Sequence, residues 1–321
     1  MSELRISAII PNFNHAKFLP RVVASYLNQP VLPDEIFLMD DASTDNSVEV
    51  MEELARKHPL IRVVRNEKNM GCNATMNRGM ELAKGDYVIF TAADDEVRPG
   101  VIERHARMLR AHPEASLSSG ICEWRCTTTG MHWLNGGAMP SKECYLSPTE
   151  MVLLSRQGRL AINNQNAVYK KSDLQAAGGW LPELHWFADW FADCAVGFRH
   201  GMCHVPEVLS NFYLQPGSYY NAKSRNYAER RAVMARMLEL FDSEQYRDVA
   251  PLVRRSGFMG GFGWSMMRVI LSRPGRWKNL TPAFVWLSGK RCTEVIGRRF
   301  FPDWLARWSL KTFYGMRHQQ G

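Results

Sequence analysis

The sequence lacks several features that would assign it to a specialised class of protein. Its 321 residues contain no uncharged apolar stretch of the roughly 18 residues that a membrane-spanning helix needs. No charged-then-apolar leader precedes the first strand-like segment, so no secretion signal is predicted. The seven cysteines are scattered and odd in number, which favours free thiols in the cytosol over a disulfide framework.

Familiar nucleotide and metal signatures are also missing. The first predicted strand is followed by Pro11-Asn12-Phe13-Asn14 rather than GxGxxG, and no GxxxxGK[ST] occurs. A dinucleotide-binding fold and a P-loop NTPase are therefore disfavoured. The cysteines and histidines do not show the paired spacing of a zinc site. Hydrophobic residues make up 45% and charged residues 22% of the chain, which indicates a globular protein rather than a disordered or fibrous one.

Acidic residues are scarce near the C-terminus. Residues 251–321 contain 13 lysines and arginines but only Glu294 and Asp303, whereas the whole chain has a net charge of +8. The same segment holds five of the ten tryptophans, and Trp304 and Trp308 are predicted to share one helical face. Basic charge mixed with tryptophan favours an anionic membrane surface over nucleic acid, for which no recognition motif is present. The alternatives are a solvated cationic face with core aromatics, or an oligomerisation element.

The first 120 residues alternate between strand and helix patterns. Apolar runs predict strands at 5–10, 35–39, 61–64 and 86–91, and apolar residues at 3–4 spacing predict helices at 15–28, 46–57, 73–84 and 99–111. This alternation predicts an α/β fold with a mostly parallel sheet and helices on both faces.

The remainder of the chain is less regular and then becomes helical. Short strands are predicted at 115–121, 166–169 and 204–208, a helix near 188–198, and helices from residue 226 onward. The predicted organisation is one domain at 1–225 and a helical, basic, Trp-rich C-terminal extension at 226–321.

Acidic residues follow two of the predicted strands. Asp40 and Asp41 end the second strand, and Asp94 and Asp95 follow the fourth. Ligands of open parallel sheets bind at this edge. Four carboxylates there would repel a phosphate unless a cation lay between them, and hard oxygen ligands select Mg²⁺ or Mn²⁺. For Ser43 and Asp45, which follow in the same turn, the alternative is a capping role before the next helix.

Several segments, in this order, resemble family 2 glycosyltransferases of the GT-A fold. They are residues 9–14, 39–45, 69–71 and 85–95, then Gly178-Gly179-Trp180 with Ala188-Asp189-Trp190, and finally Val205-Pro206-Glu207 and the turn at 215–218. The resemblance covers about the first 220 residues. It implies a Rossmann-like sheet and an inverting transfer of sugar from a nucleotide-diphospho-sugar, with UDP as the expected nucleotide.

The resemblance also implies roles for individual residues. The donor-binding set comprises Pro11, Asn12, Phe13, Asp40, Asp41, Asn69, Gly71 and Asp94. Within it, Pro11 and Phe13 would line the base pocket, and Asp41, with Asp40 as a second candidate, would bind the uracil or ribose. Asn69 and Gly71 would border the nucleotide. Asp94 and Asp95 would hold Mn²⁺ or Mg²⁺ on the diphosphate. Asp189 would be the catalytic base, with Asp193, four residues later, in reserve.

The chain departs from the family pattern at a few positions. Ala92 and Ala188 stand where the family often has acidic residues, and the family often has a histidine near Gln215. A non-catalytic nucleotide-sugar binder is therefore one alternative. A nucleotidyltransferase is another, although it would need a Gly-rich, basic loop after the first strand. The expected acceptor is a glycan or lipid-linked molecule at the cytoplasmic face of a membrane. Residues 163–166 would either contact this acceptor or form a turn.

Overall fold

Ten β-strands form one sheet in the computed structural model, which describes residues 4–215 and 226–300, the last seven by their backbone alone. The strands are β1 (Ile6–Asn12), β2 (Glu35–Asp40), β3 (Ile61–Arg65), β4 (Tyr87–Phe90), β5 (Glu96–Val97), β6 (Leu117–Cys126), β7 (His132–Asn135), β8 (Cys144–Leu146), β9 (Val168–Lys170) and β10 (Met202–Leu214).

Helices precede or follow most of these strands. They are α1 (Leu19–Leu27), α2 (Ser47–Lys57), α3 (Cys72–Leu82), α4 (Val101–Ala111), α5 (Pro148–Arg156), α6 (Lys171–Ala176), α7 (Ala188–His200), α8 (Tyr227–Phe241), α9 (Ala250–Ser256), α10 (Trp264–Leu271) and α11 (Pro282–Phe300). Short 3₁₀ helices lie at Ala16–Phe18, Pro182–Phe187, Glu244–Tyr246, Phe258–Phe262 and Pro274–Asn279.

The strand order is β3-β2-β1-β4-β9-β6-β10-β5, with β7 beside β6 and β8 beside β10. The first four strands in this order are parallel to one another, and the long strands β6 and β10 are also parallel. Antiparallel pairing enters through the short strands β5, β7, β8 and β9. The predicted α/β fold with a mostly parallel sheet is confirmed.

Alternate strand residues enter two separate apolar cores. In β1, the buried side chains of Ala8 and Ile10 join the core beneath α1, α2 and α4, and that of Ile9 joins the core beneath α3 and α7. A strand covered on both faces has to be apolar at nearly every position, which explains the continuous hydrophobic runs in the sequence.

Most predicted elements occur within a few residues of their expected bounds, including the helix near 188–198, which is α7. The sequence interpretation missed α5 and α6, as well as the short strands β5, β7 and β8. Helix α5 carries a recognisable start signal, because Ser147 and Glu150 form a reciprocal capping box. Most of the predicted turn at 215–218 and the tail tryptophans Trp304 and Trp308 lie outside the described residues.

The buried side chain and backbone of Trp180 hold the loop that leads into α7 in place. The indole of Trp180 packs edge-on against Phe90 of β4 and Tyr169 of β9, at centroid distances of 5.1 and 5.6 Å. The backbone N–H of Trp180 donates to Asn77 Oδ1 of α3, and Asn77 Nδ2 donates back to the Trp180 carbonyl, at 2.9 and 2.8 Å. Helix α3 and the start of α7 are thereby fixed relative to the sheet.

The C-terminal helices share an apolar core with the sheet. Met234 of α8, Met266 of α10 and Phe284 of α11 belong to the same buried cluster as Ile9 of β1 and Phe191 of α7. The division at residue 225 stays a prediction about sequence organisation, and the core is continuous across it. Among the described residues, no helix combines the length and the apolar character required to cross a membrane.

Replacing Gly79 by alanine is expected to destabilise the protein by about 1–3 kcal/mol, although alanine normally favours a helix over glycine by about 1 kcal/mol. A Cβ at position 79 would lie 2.6 Å from Cγ2 of Ile9. Ile9 is fully buried in a central strand and cannot move aside without disturbing the sheet. Thermal and urea denaturation would measure the change.

Gly289→Ala is the matched control for this substitution. Gly289 is also in a helix, and among the described residues no atom outside its own stretch of helix lies within 4 Å of its hypothetical Cβ. We expect the control to leave stability unchanged or to raise it by up to about 1 kcal/mol. An equal response of the two variants would contradict the packing argument.

Candidate active site

The candidate site lies at the carboxyl ends of β1, β2 and β4. Asn12 ends β1 directly opposite Asp40, which ends β2. Asn12 Nδ2 donates to Ser43 Oγ at 3.1 Å and to Asp40 Oδ1 at 3.4 Å. Both Asn12 and Asp40 are buried, at 3% and 1% exposure. Their side chains therefore join the two strand ends to each other, behind the surface of the cleft.

The turn after β2 is held by local hydrogen bonds. Asp40 Oδ2 accepts from the backbone N–H of Ser43 at 3.1 Å. Asp45 accepts from the N–H groups of Ala16 and Ser47 at 3.1 and 3.0 Å. Ser43 and Asp45 thus hold the turn before α2, as the alternative interpretation expected, although the N-cap residue of α2 is Asn46.

The carboxylate of Asp41 holds the loop between β3 and α3 in place. Asp41 Oδ1 accepts from Asn66 Nδ2 and from the backbone N–H of Met70, both at 2.8 Å, and Oδ2 accepts from the N–H of Gly71 at 2.9 Å. Asp41 is 3% exposed. Three donors on one buried carboxylate satisfy its charge and fix the path of residues 66–71 into α3.

Four predicted donor-binding residues border the open side of the cleft. Phe13 is 43% exposed and presents an aromatic ring to solvent, and Pro11 beside it is half-buried. Asn69 is exposed, and its Oδ1 accepts from the N–H of Gly71 at 3.1 Å. Gly71 has a φ of +85°, a conformation that favours glycine, and no atom of the described residues lies within 4 Å of the position a Cβ would take.

The two aspartates after β4 occupy different environments. Asp95 is buried, and its Oδ1 accepts from the backbone N–H of Tyr213 at 3.0 Å. Burial and the adjacent charge of Asp94 raise the pKa of Asp95 well above its usual range. Asp94 is only half-buried. Within residues 4–215 and 226–293, no cluster of three or more potential metal-ligating side chains is found.

Three of the acidic residues of the site lie near the thiol of Cys72. Cys72 is the first residue of α3, follows Gly71 directly and is exposed. Dense surrounding atoms raise the pKa of its thiol to about 12, and the charges of Asp41, Asp189 and Asp94 each raise it further. The carboxylates that follow β2 and β4 and the one at the start of α7 therefore all lie near Cys72. Sequence reasoning did not single out Cys72, although it directly follows the 69–71 motif.

Two carboxyl groups on α7 lie one helical turn apart and differ in access. Asp189 is half-buried, and burial raises its pKa to about 6, although its Oδ1 accepts from the N–H of Trp190 at 2.7 Å. Asp193 is buried, and burial together with the charge of Asp189 raises its pKa to about 8. At neutral pH, Asp189 is therefore the ionised and accessible member of the pair.

A buried polar cluster surrounds Asp193. Tyr169 donates its hydroxyl hydrogen to Asp193 Oδ1 at 2.8 Å, and Asn164 Nδ2 lies 3.1 Å from Asp193 Oδ2. Asn163 and Asn166 are also buried, and each hydrogen-bonds to the backbone of Gly120. Residues 163–166 thus brace the sheet, in line with the turn interpretation of this segment.

A strained residue, His185, precedes α7. Its backbone has φ +49° and ψ −123°, which is costly for a residue with a Cβ. The His185 carbonyl accepts from Asn73 Nδ2 at 2.7 Å, and its ring Nε2 lies 3.8 Å from Oε1 of Glu229 on α8. His185 therefore joins α3, α7 and the C-terminal helices. No sequence signal identified it.

The C-terminal helices contact the site through Trp190. Its ring lies 4.4 Å, centroid to centroid, from the rings of both Phe258 and Phe262. Because Trp190 follows Asp189 directly, the 258–262 segment packs against the residue adjoining the candidate base.

Comparison with known proteins identifies the family. Residues 7–165 match the family model described as Glycosyl transferase family 2. The chain is a member of this family. The Escherichia coli (strain K12) protein named uncharacterized glycosyltransferase YibD is 33% identical over 132 residues, which cover 41% of this chain and 38% of YibD. The chondroitin synthase of Escherichia coli is 33% identical over 98 residues, which cover 30% of this chain and 14% of the synthase. The matches thus span well under half of each relative.

Solved structures share the fold at low sequence identity. TarS residues 1–349 from S. aureus, in complex with UDP-GlcNAc, superposes with a TM-score of 0.63 at 13% identity, covering 97% of this chain and 90% of that one. The mannosyltransferase PcManGT from Pyrobaculum calidifontis, in complex with GDP-Man and Mn²⁺, gives a TM-score of 0.59 at 15% identity, covering 98% and 85%. The predicted GT-A fold is confirmed.

Asp41→Asn is expected to destabilise the 66–71 loop by about 1–3 kcal/mol, because an amide keeps the shape but turns one acceptor into a donor that faces an N–H. Hydrogen exchange at Met70 and Gly71 should accelerate, and nucleotide affinity should fall with it. Glu67→Gln is the control, since Glu67 is an exposed carboxylate in the same loop. If both variants exchange like the wild type, Asp41 does not hold the loop.

Proposed function

We propose that this chain transfers a sugar, with inversion at the anomeric carbon, from a nucleotide-diphospho-sugar to a hydroxyl group of a glycan or lipid-linked acceptor. The proposal rests on one arrangement: the fold brings Asp41, Asp94 and Asp189 close enough to Cys72 for each charge to act on its thiol. Two of these residues come from the strand ends where an α/β sheet binds nucleotides. The third is partly open and ionised at neutral pH.

The donor would lie along the ends of β1 and β2. The exposed ring of Phe13 suits stacking on a nucleobase, with Pro11 beside it. The backbone of Asn69 and Gly71, fixed by Asp41, would border the nucleotide. Asn12 and Asp40 would contribute by holding this edge in shape. The UDP-GlcNAc in TarS and the GDP-Man in the mannosyltransferase support a nucleotide-sugar donor, and we propose a UDP-sugar.

Asp189 would act as the base that removes the proton from the acceptor hydroxyl. A base is most effective when its pKa lies near the working pH, and burial brings that of Asp189 to about 6. An in-line displacement needs only this one carboxylate on the acceptor side, because the leaving nucleoside diphosphate is not protonated by a second acid in the manner of a glycosidase. Asp193 is turned toward Tyr169 and Asn164 and would not reach the acceptor.

A divalent cation, Mn²⁺ or Mg²⁺, fits the donor side through Asp94. Magnesium-type sites often use one or two carboxylates together with substrate phosphates and water. Asp94 is accessible, whereas the carboxyl of Asp95 is buried on the Tyr213 backbone. When bound, the cation would neutralise charge on the leaving diphosphate. The Mn²⁺ in the mannosyltransferase complex supports this assignment.

We further propose that the acceptor belongs to cell-surface polysaccharide synthesis and is used at the cytoplasmic face of a membrane. The match to chondroitin synthase supports a polysaccharide-related role. The basic, Trp-rich composition of residues 251–321 supports peripheral contact with an anionic membrane.

Asp189→Asn should leave UDP binding intact and reduce transfer by about 10²–10⁴-fold, since the amide cannot accept the proton. In the wild type, kcat/KM should fall tenfold per pH unit below about pH 6, because protonation of Asp189 removes the base. Asp193→Asn is the matched variant on the same helix and should retain most of the transfer. Binding of UDP without any transfer by the wild type would instead favour the non-catalytic binder.

Asp94→Asn should abolish the Mn²⁺ dependence of UDP binding, measured by calorimetry with and without the ion. Asp95→Asn should keep that dependence while lowering the melting temperature, because Asp95 is buried and hydrogen-bonded to Tyr213. Full transfer activity of the wild type in excess EDTA would overturn the metal assignment.

A further inference from the structure

A groove runs between α8 and α10 on the outside of the C-terminal helices. Two cavities of about 470 Å³ each share Arg231 and Ser272 and so form one continuous depression. Ala228, Ala232 and Ala235 of α8 line the groove, and their short side chains leave its space unfilled. The candidate active site does not use this groove.

The groove carries an excess of positive charge. It is lined by Arg231, Arg268, Arg273 and Arg276 and by one carboxylate, Glu239. Glu239 is already paired with the buried Arg276 at 3.0 Å. Within the part of the chain that the structure describes, neither Arg231 nor Arg268 has a carboxylate within ion-pair distance. Their guanidinium groups are therefore available to an anion, and guanidinium groups bind phosphate oxygens well.

Apolar side chains are exposed along the same groove. Trp264 is 59% exposed, Leu271 49% and Tyr227 46%, and the Tyr227 hydroxyl accepts from Arg268 Nη1 at 2.9 Å. Trp277, in the segment that follows α10, is 53% exposed. Large aromatic residues exposed beside arginines are typical of surfaces that enter the headgroup layer of a bilayer.

The helices that form the groove are connected to the candidate site. Tyr227 and Arg231 are in the first turns of α8, where Glu229 contacts His185, four residues before Asp189. Helix α10 follows the 258–262 segment that packs against Trp190. The two helices that form the groove are therefore also linked to the segments on either side of Asp189.

We propose that the groove between α8 and α10 binds the phosphate headgroup of an anionic phospholipid and docks the protein on the membrane that carries its acceptor. Arg231 and Arg268 would contact the phosphate, and Trp264 and Leu271 would enter the headgroup layer. This inference rests on the proposed transfer to a membrane-associated acceptor, and it identifies the surface that brings the two together.

Flotation of the full-length protein with vesicles would test the proposal. We expect binding to phosphatidylcholine vesicles that contain about 30% phosphatidylglycerol and little binding to phosphatidylcholine alone. Arg231→Ala and Arg268→Ala should each weaken partitioning about fivefold, because each removes the contribution of one basic residue near an anionic surface. The double variant should weaken it about 25-fold. Trp264→Ala should also weaken it. Arg255→Ala is the control, since Arg255 is an exposed arginine of the same extension outside the groove.

Several outcomes would overturn the assignment. Wild-type partitioning by the double variant, or an equal loss in the Arg255 control, would show that general basic charge and not the groove binds the membrane. Binding of soluble glycerol 3-phosphate without binding of vesicles would indicate a small-anion site. UDP binding and the melting temperature serve as folding controls for every variant. A wild type that binds vesicles but not UDP would contradict the proposed function while leaving the groove assignment standing.

Discussion

The carboxylate of Asp41 is the constraint on which the donor side of the structure depends. Its three hydrogen bonds hold the loop that follows β3 and thereby fix the backbone that leads into α3. Helix α3 is in turn tied to the loop before α7 through Asn77 and Trp180. The same buried charge therefore sets, through two steps of packing, where Asp189 lies relative to the strand ends. An aspartate that formed hydrogen bonds only within its own turn would not connect these elements.

Helix α7 separates two carboxyl groups by their surroundings. Asp189 and Asp193 have the same side chain and are four residues apart. Asp189 is only half-buried, whereas Asp193 is enclosed by Tyr169 and Asn164. Burial raises both pKa values, and the charge of Asp189 raises that of Asp193 further. Asp189 is therefore the more readily ionised of the two carboxyl groups, and it is also the more accessible one.

The sequence predicted the parallel half of the fold well, because apolar runs and helical spacing are local signals. The short strands β5, β7 and β8 were missed, since they depend on pairing with β6 and β10 rather than on their own pattern. Strand-end reasoning predicted that Asp41 and Asp94 lie at the same edge of the sheet, and the structure has both directly after or near the ends of their strands. This reasoning could not distinguish the buried Asp95 from the accessible Asp94, because the partner that encloses Asp95 is Tyr213, far along the chain. The strain at His185 likewise arises from contacts with Asn73 and Glu229 that no local pattern encodes.

The apolar core that continues from β1 to α11 limits how this molecule could acquire a different acceptor. Removing or exchanging α8 to α11 as a block would uncover the part of this cluster around Phe191 of α7, which is fully buried. A new specificity would have to arise on solvent-facing positions of those helices and on the loops beside Trp190, with their inner faces retained. The strand-end loops that border the donor are held instead by the buried hydrogen bonds of Asp41 and Asn12, so different interactions constrain the two ends of the cleft.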